Sequence, residues 1–325
     1  MLRRFLAASL ALVLASAASA DHFKFVVAGD GRSDPGANPP RTEDVDGVNT
    51  LITKEMAQAV VKEKARFLLW TGDLVYGDKN SGSNHEKQLR RWLECMKPVY
   101  DKKIKVLACR GNHEANSKET VAAWNRVFSG RYAMPMNGPT EAKNLTFFYE
   151  IGPVLAIGLD QYSTGYETVS QAWLDQVLAG HKKPFVFAFG HEPAFMDGSH
   201  KDTLDVDPIK RDQLWNSLMN AGSRVFFAGH DHLYDHMVVT REGANPGPEM
   251  HQLVAGTAGA PFYRQGDYTG NNAGWSLRRV SHIDRTYGYI VVEIDDNKAT
   301  VTFKGRKAPG VYEAMDSFSY TRKTK

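Results

Sequence analysis

Five short segments hold the residue types that do metal chemistry: Gly29-Asp30-Gly31, Gly72-Asp73-Leu74-Val75-Tyr76, Gly111-Asn112-His113-Glu114, Gly190-His191 and Gly229-His230-Asp231-His232. Each sets a carboxylate, amide or imidazole beside a glycine, where the backbone can turn sharply and approach an ion. One Gly-Asp or Gly-His after a strand is ordinarily a turn or a helix cap. Five in one chain, each at the end of an element, supply enough oxygen and nitrogen donors for two adjacent metal ions. Asp30 is a hard anionic donor, Asp73 has enough lone pairs to bridge two ions, and Asn112 offers a neutral carbonyl oxygen. The imidazoles of His230 and His232 are two residues apart, so an extended backbone would send both to one face and Asp231 to the other.

Such donors need rigid elements to hold them. Short apolar runs at 23–28, 67–70, 104–109, 154–159, 185–189 and 225–228 read as strands. Helical spacing links them: Val48, Leu51, Ile52, Met56, Ala59 and Val60 fall on one face, and further helices are expected at 85–99, 118–128 and 209–219. This alternation is that of an α/β fold. After residue 233 the pattern turns to strands, at 237–240, 252–255, 287–294 and 299–303. Four of the five segments follow strands of the alternating part, where α/β sheets gather their binding groups.

The ordered set resembles the metallophosphoesterase, or calcineurin-like phosphoesterase, superfamily, and Gly72 to Tyr76 is similar to the Gly-Asp-x-x-Tyr block of its purple acid phosphatase branch. The resemblance runs from residue 25 to about 263 and includes the glycine-rich segment 256–263. It implies a four-layer α/β/β/α sandwich with two mixed sheets. It places Asp30, Tyr76 and His232 on a first ion, Asn112, His191 and His230 on a second, and Asp73 between them, with no organic cofactor. The commonest first block in the family is Asp-x-His, and purple acid phosphatases show Gly-Asp-x-Gly; here the third position is Arg32. A guanidinium has no lone pair to give. The first ion therefore lacks a histidine, and Tyr76 is the replacement, unless it packs with its hydroxyl on backbone. A phenolate favours a hard trivalent ion, which points to iron(III) beside divalent iron, zinc or manganese.

The activity so implied is hydrolysis of phosphate monoesters by attack of a metal-bridging hydroxide. Phosphodiesters and nucleotides are alternative substrates for the same site. A non-catalytic metal- or phosphate-binding protein of the same fold, or a mononuclear zinc amidase or esterase, are the other classes. His113 would stabilise the transition state or protonate the leaving group, with Glu114 behind it orienting the ring. Arg32 is either a phosphate clamp or an outward salt bridge to Asp34 or Glu43.

Residues 1–20 carry Arg3 and Arg4, an apolar stretch and Ala18-Ser19-Ala20, the pattern of a cleaved signal peptide. The expectation is an exported, periplasmic or extracellular protein with one catalytic domain over 21–325. Paired arginines leave open whether export uses the general or the twin-arginine route. The whole chain of 325 residues has a formal net charge of +3. Without residues 1–20, 38 basic residues face 37 acidic ones, so nothing electrostatic calls for a nucleic-acid polymer or a membrane. No apolar run approaches a membrane span, and the expected partner is a small phosphorylated substrate. Cys95 and Cys109 are two buried thiols or one bridge. The loop 31–46 could close as a lid. Within 262–286, Phe262, Tyr263, Arg264, Tyr268, Trp275, Arg278 and Arg279 either grip a base, sugar or phosphate or cover a sheet edge.

Overall fold

Alternation along the strand Phe185–Phe189 sets the layers: Phe185, Phe187 and Phe189 face one apolar core, Val186 and Ala188 a second. In a strand successive side chains point to opposite faces, so this sheet is covered on both sides. The computed structural model describes residues 23–37, 39–77, 82–115, 118–196, 198, 200–244, 246–263 and 272–322. The expected signal peptide, with Arg264 and Tyr268, lies outside them.

One sheet has the strand order Val311–Thr321, Lys298–Ala308, Gly288–Asp295, Phe23–Ala28, Phe67–Trp70, Lys105–Ala108. The other runs Trp275–Ile283, Tyr234–Arg241, Met250–Ala255, Val225–Ala228, Phe185–Phe189, Val154–Gly158, Phe147–Ile151. Both are mixed. Phe23–Ala28, Phe67–Trp70 and Lys105–Ala108 are parallel neighbours in the first, as are Phe185–Phe189, Val225–Ala228 and Met250–Ala255 in the second. The sheets meet through aromatic rings: Phe25 stacks on Phe67 at 4.6 Å and meets Phe187 edge-on at 5.0 Å.

Helix Thr50–Lys62 packs Ile52, Met56 and Val60 on the first sheet, and Trp92 of helix Gly82–Cys95 meets Trp70 edge-on at 5.0 Å. Leu174, Leu178, Leu214, Trp215 and Leu218, from Gln171–Gly180 and Pro208–Asn220, cover the second. The result is the α/β/β/α sandwich.

Some elements depart from the sequence reading. The helix expected at 85–99 is two, Gly82–Cys95 and Lys97–Asp101, because Pro98 has no N–H for the helical ladder and starts the second helix instead. Helix Gln171–Gly180 and strand Val311–Thr321 were not expected. Trp275–Ile283 is an edge strand, so its residues cover a sheet edge, the structural one of the two alternatives. Both cysteines are free and buried. No helix among the described residues is long and apolar enough to cross a membrane.

Candidate metal centre

The donors sit at the carboxyl ends of the parallel strands. Asp30 follows Phe23–Ala28, Asp73 follows Phe67–Trp70 and Asn112 follows Lys105–Ala108 in one sheet; His191 follows Phe185–Phe189 and His230 follows Val225–Ala228 in the other. Leaving a strand and turning at once into the site forces unusual backbone. Asp30, Asp73 and His230 have φ of 62°, 46° and 73°, left-handed conformations that cost a non-glycine residue about 1 kcal/mol or more each. The segment around His230 is therefore a tight turn and not the extended stretch expected, although both of its imidazoles still reach the site. Two glycines are required by space: a Cβ on Gly111 would stand 2.1 Å from Asp73 Oδ1, and one on Gly229 2.2 Å from Asp30 Oδ2.

Main-chain bonds lock the loops together. Asp30 N–H donates to the Gly72 carbonyl at 3.0 Å, Gly31 N–H to Asp73 at 2.8 Å, and Ala260 N–H to Asp30 at 2.8 Å. Trp70 Nε1 also donates to the Gly72 carbonyl. Glu114, fully buried, accepts from Val75 N–H at 3.0 Å and Gly111 N–H at 2.8 Å. It thus ties the Asp73 loop to the Asn112 loop. The His113 ring, which Glu114 was expected to orient, has its Nδ1 on the Tyr76 carbonyl.

Two donor groups share Asp73. His191 Nε2 lies 3.4 Å from Asp73 Oδ1, 3.2 Å from Asn112 Oδ1 and 3.3 Å from His230 Nδ1. One donor atom each from Asp30, Asp73 and His232 lie within 4.8 Å of one another. His191 Nδ1 donates to the Thr71 carbonyl at 2.9 Å and His232 Nδ1 to that of Pro261 at 2.6 Å, which leaves each Nε2 lone pair for the centre. Burial holds the His191 pKa near 4 and, with Arg32 next in weight, pushes that of His232 well below its ordinary value. Both rings are neutral, as ligands must be.

The carboxylates call for cations. Burial and then the Asp73 charge push the Asp30 pKa well up. Burial also acts to raise the Asp73 pKa, yet His191 and His113 in their charged forms, and then Arg32, outweigh it and pull it well below the ordinary carboxylate value. Asp30 Oδ2 is buried with no hydrogen-bond partner among the described residues. Two crowded acids, an orphaned carboxylate oxygen and neutral imidazoles turned inward form a donor set that fits two ions.

The remaining expected residues flank this set. His113 Nε2 lies 3.8 Å from Asp73 Oδ2 on a side chain 20% exposed. Arg32 turns inward, away from both proposed surface partners, with Nε 3.6 Å from Asp73 Oδ2. Tyr76 is 41% exposed, and its ring leans on His113 with centroids 5.4 Å apart. Arg279 is engaged by Asp235 at 2.6 Å, and Trp275 is buried.

Two contributors escaped the sequence reading, and a third, Tyr263, was read only as a residue that grips a base, sugar or phosphate or covers a sheet edge. His200 stacks on His230 at 4.0 Å and meets Asp231 at 2.9 Å. Asp202 Oδ1 is 3.4 Å from His230 Nε2. Tyr263 stacks on His232 at 4.0 Å and accepts from Arg32 Nη2 at 3.0 Å. Gly198 is two residues before His200 and not beside it, so the adjacency that marks the other segments does not single out this loop.

Residues 18–234 match the family described as calcineurin-like phosphoesterase. Among solved structures the chain is similar to a purple acid phosphatase from yellow lupin (Lupinus luteus) seeds, at 14% identity and a TM-score of 0.66, covering 93% of this chain and 54% of that one. It thus spans about half the length of the lupin enzyme. GAP50, the anchor in the inner membrane complex of Plasmodium, matches at 15% identity and a TM-score of 0.56, with 94% and 90% covered. A dimetal phosphatase from Danio rerio matches at 14% identity and a TM-score of 0.55, with 93% and 99% covered. No curated protein sequence matches closely enough to count as a relative. These identities establish the fold, and the family match spans more than half of the chain. The chain belongs to the calcineurin-like phosphoesterases, the metallophosphoesterase family of phosphoric ester hydrolases.

Proposed function

We propose that the chain is an exported dinuclear phosphoesterase that hydrolyses monoesters of small phosphorylated molecules. The reading rests on one observation: Asp73 belongs to two donor groups, with Oδ1 3.4 Å from His191 Nε2 and one carboxylate oxygen within 4.8 Å of donor atoms of Asp30 and His232. Asp30, His232 and the phenol of Tyr76 would hold the first ion, and Asn112, His191 and His230 the second, with Asp73 common to both. Iron(III) with divalent iron, zinc or manganese suits that set. Export is supported by the signal-like pattern of residues 1–20.

When bound, the ions supply an activated water and neutralise charge on the phosphate. The chain's own groups do the rest. Nδ1 of His113 is committed to the Tyr76 carbonyl, so Nε2 is the atom that faces substrate, and it gives a proton to the leaving oxygen only from the doubly protonated ring. Arg32 Nε is buried without a hydrogen-bond acceptor among the described residues, an unspent donor for a non-bridging phosphate oxygen. His200, held by Asp231, lines the site beside His230.

The test combines elemental analysis of the exported protein with a panel of monoesters, diesters and nucleotides. The expected result is two ions per chain and fastest turnover on monoesters. Asp73→Asn and His230→Ala should fall to background with cooperative unfolding intact; wild-type-like turnover in either refutes the assignment. Faster cleavage of diesters or nucleotides would redirect the substrate class on the same site.

A further inference from the structure

Arg32 enters the site from a backbone tied on both sides. Gly31 N–H donates to the Asp73 carbonyl at 2.8 Å, Ser33 N–H to Gly47 at 3.0 Å, and Arg32 itself bridges Val48. Only its side chain is free to move. That side chain lies 3.6 Å from Asp73 Oδ2 through Nε, donates from Nη2 to the Tyr263 hydroxyl at 3.0 Å, and from Nη1 to the Ser33 carbonyl at 3.3 Å. The residue is 7% exposed. Asp73 Oδ1 faces His191, so the guanidinium lies against the other oxygen of the carboxylate that groups with Asp30 and His232.

We propose that Arg32 is a resident cation of the first-ion subsite: it neutralises Asp73 until an ion arrives, and the ion binds by displacing it towards Tyr263. The inference rests on the dinuclear reading. Arginine stays protonated at any working pH, so the competition cannot be relieved by deprotonation. Against His230 stands His200, but its ring is paired with Asp231 and, unlike a guanidinium, can give up its proton. The first subsite is therefore the weaker and the more readily exchanged. At separations of a few ångströms, like charges cost well over a factor of ten in affinity even at a high effective dielectric.

Calorimetric titration of the metal-stripped full chain with Mn²⁺ separates the two events. Wild type should bind one ion tightly and one weakly, and Asp30→Asn should remove the weak event. Arg32→Met, which keeps length and loses charge, should tighten the weak event about tenfold or more and leave the tight one nearly unchanged. Arg32→Gln should repeat this, guarding against a packing effect of methionine, and Arg32→Lys should keep the gap. An unchanged weak event in both neutral variants, or equal tightening by lysine, overturns the inference. If wild type still binds two ions and cleaves phosphate esters, that result leaves the phosphoesterase reading standing. A wild-type chain that takes up no second ion overturns both.

Discussion

A hydrogen-bonded pair of histidines on neighbouring strands should make the sandwich acid-sensitive. His236 Nδ1 meets Asp316 Oδ2 at 2.7 Å, its Nε2 meets His251 Nδ1 at 2.7 Å, and Tyr234 donates to the same Asp316 oxygen. Asp316 belongs to one sheet and both histidines to the other. Charging both rings would set two N–H donors against each other at 2.7 Å. Burial first, then His236 and Arg278, lower the His251 pKa from 6.5 to about 3, with Asp316 opposing. The unfolded chain therefore binds a proton below pH 6.5 that the native chain refuses until about pH 3. Stability is full above the higher value and falls as pH drops towards the lower, by about 1.4 kcal/mol per pH unit. Between pH 7 and 5 the loss from His251 is about 2 kcal/mol. Urea unfolding of wild type and His251→Gln at pH 7, 6 and 5 isolates it, because glutamine can still bond His236 but cannot take the proton. Groups that titrate elsewhere, His191 included, contribute to both proteins and drop out of the difference. Parallel stability profiles for the two proteins would refute the argument.

Three further outcomes follow from the centre. His113→Ala should lower kcat about 10²- to 10⁴-fold with two ions per chain retained; equal loss of metal would make the residue structural. Gly111→Ala sets a methyl 2.1 Å from Asp73 Oδ1, so ion binding should fail at a concentration of denaturant where the far-ultraviolet spectrum is still native. Tyr76→Phe should abolish any visible phenolate-to-iron(III) absorption of the iron-loaded protein while Tyr263→Phe leaves it, and the reverse pattern would move ligation to Tyr263.

The strands that carry donors were legible because each is buried on both faces. Phe67–Trp70, Phe185–Phe189 and Val225–Ala228 are wholly buried, so each reads as a short apolar run between turn signals. Val311–Thr321 is an edge strand in which exposed and half-buried residues alternate irregularly, and its composition carries no such run. Sheet order was equally beyond periodicity: Phe23–Ala28 pairs with Gly288–Asp295 across most of the chain, and only the family resemblance supplied the sandwich.

In the site, legibility followed distance along the chain. Asp30, Asp73, Asn112, His191 and His230 each announce themselves through a glycine next in sequence, and His232 through its place two residues after His230, because the turn that aims the side chain is local. What Arg32, Tyr263 and His200 do depends on partners remote in sequence. Arg32 could have reached Asp34 or Glu43; it faces Asp73 and Tyr263 because the bridge to Val48 and the bond from Gly31 to Asp73 turn its strand end inward. No spacing rule encodes that choice. The donor set is thus written in local turns, whereas the charge that balances it is decided by tertiary packing, and substitutions at Arg32 should shift metal occupancy while leaving every ligand in place.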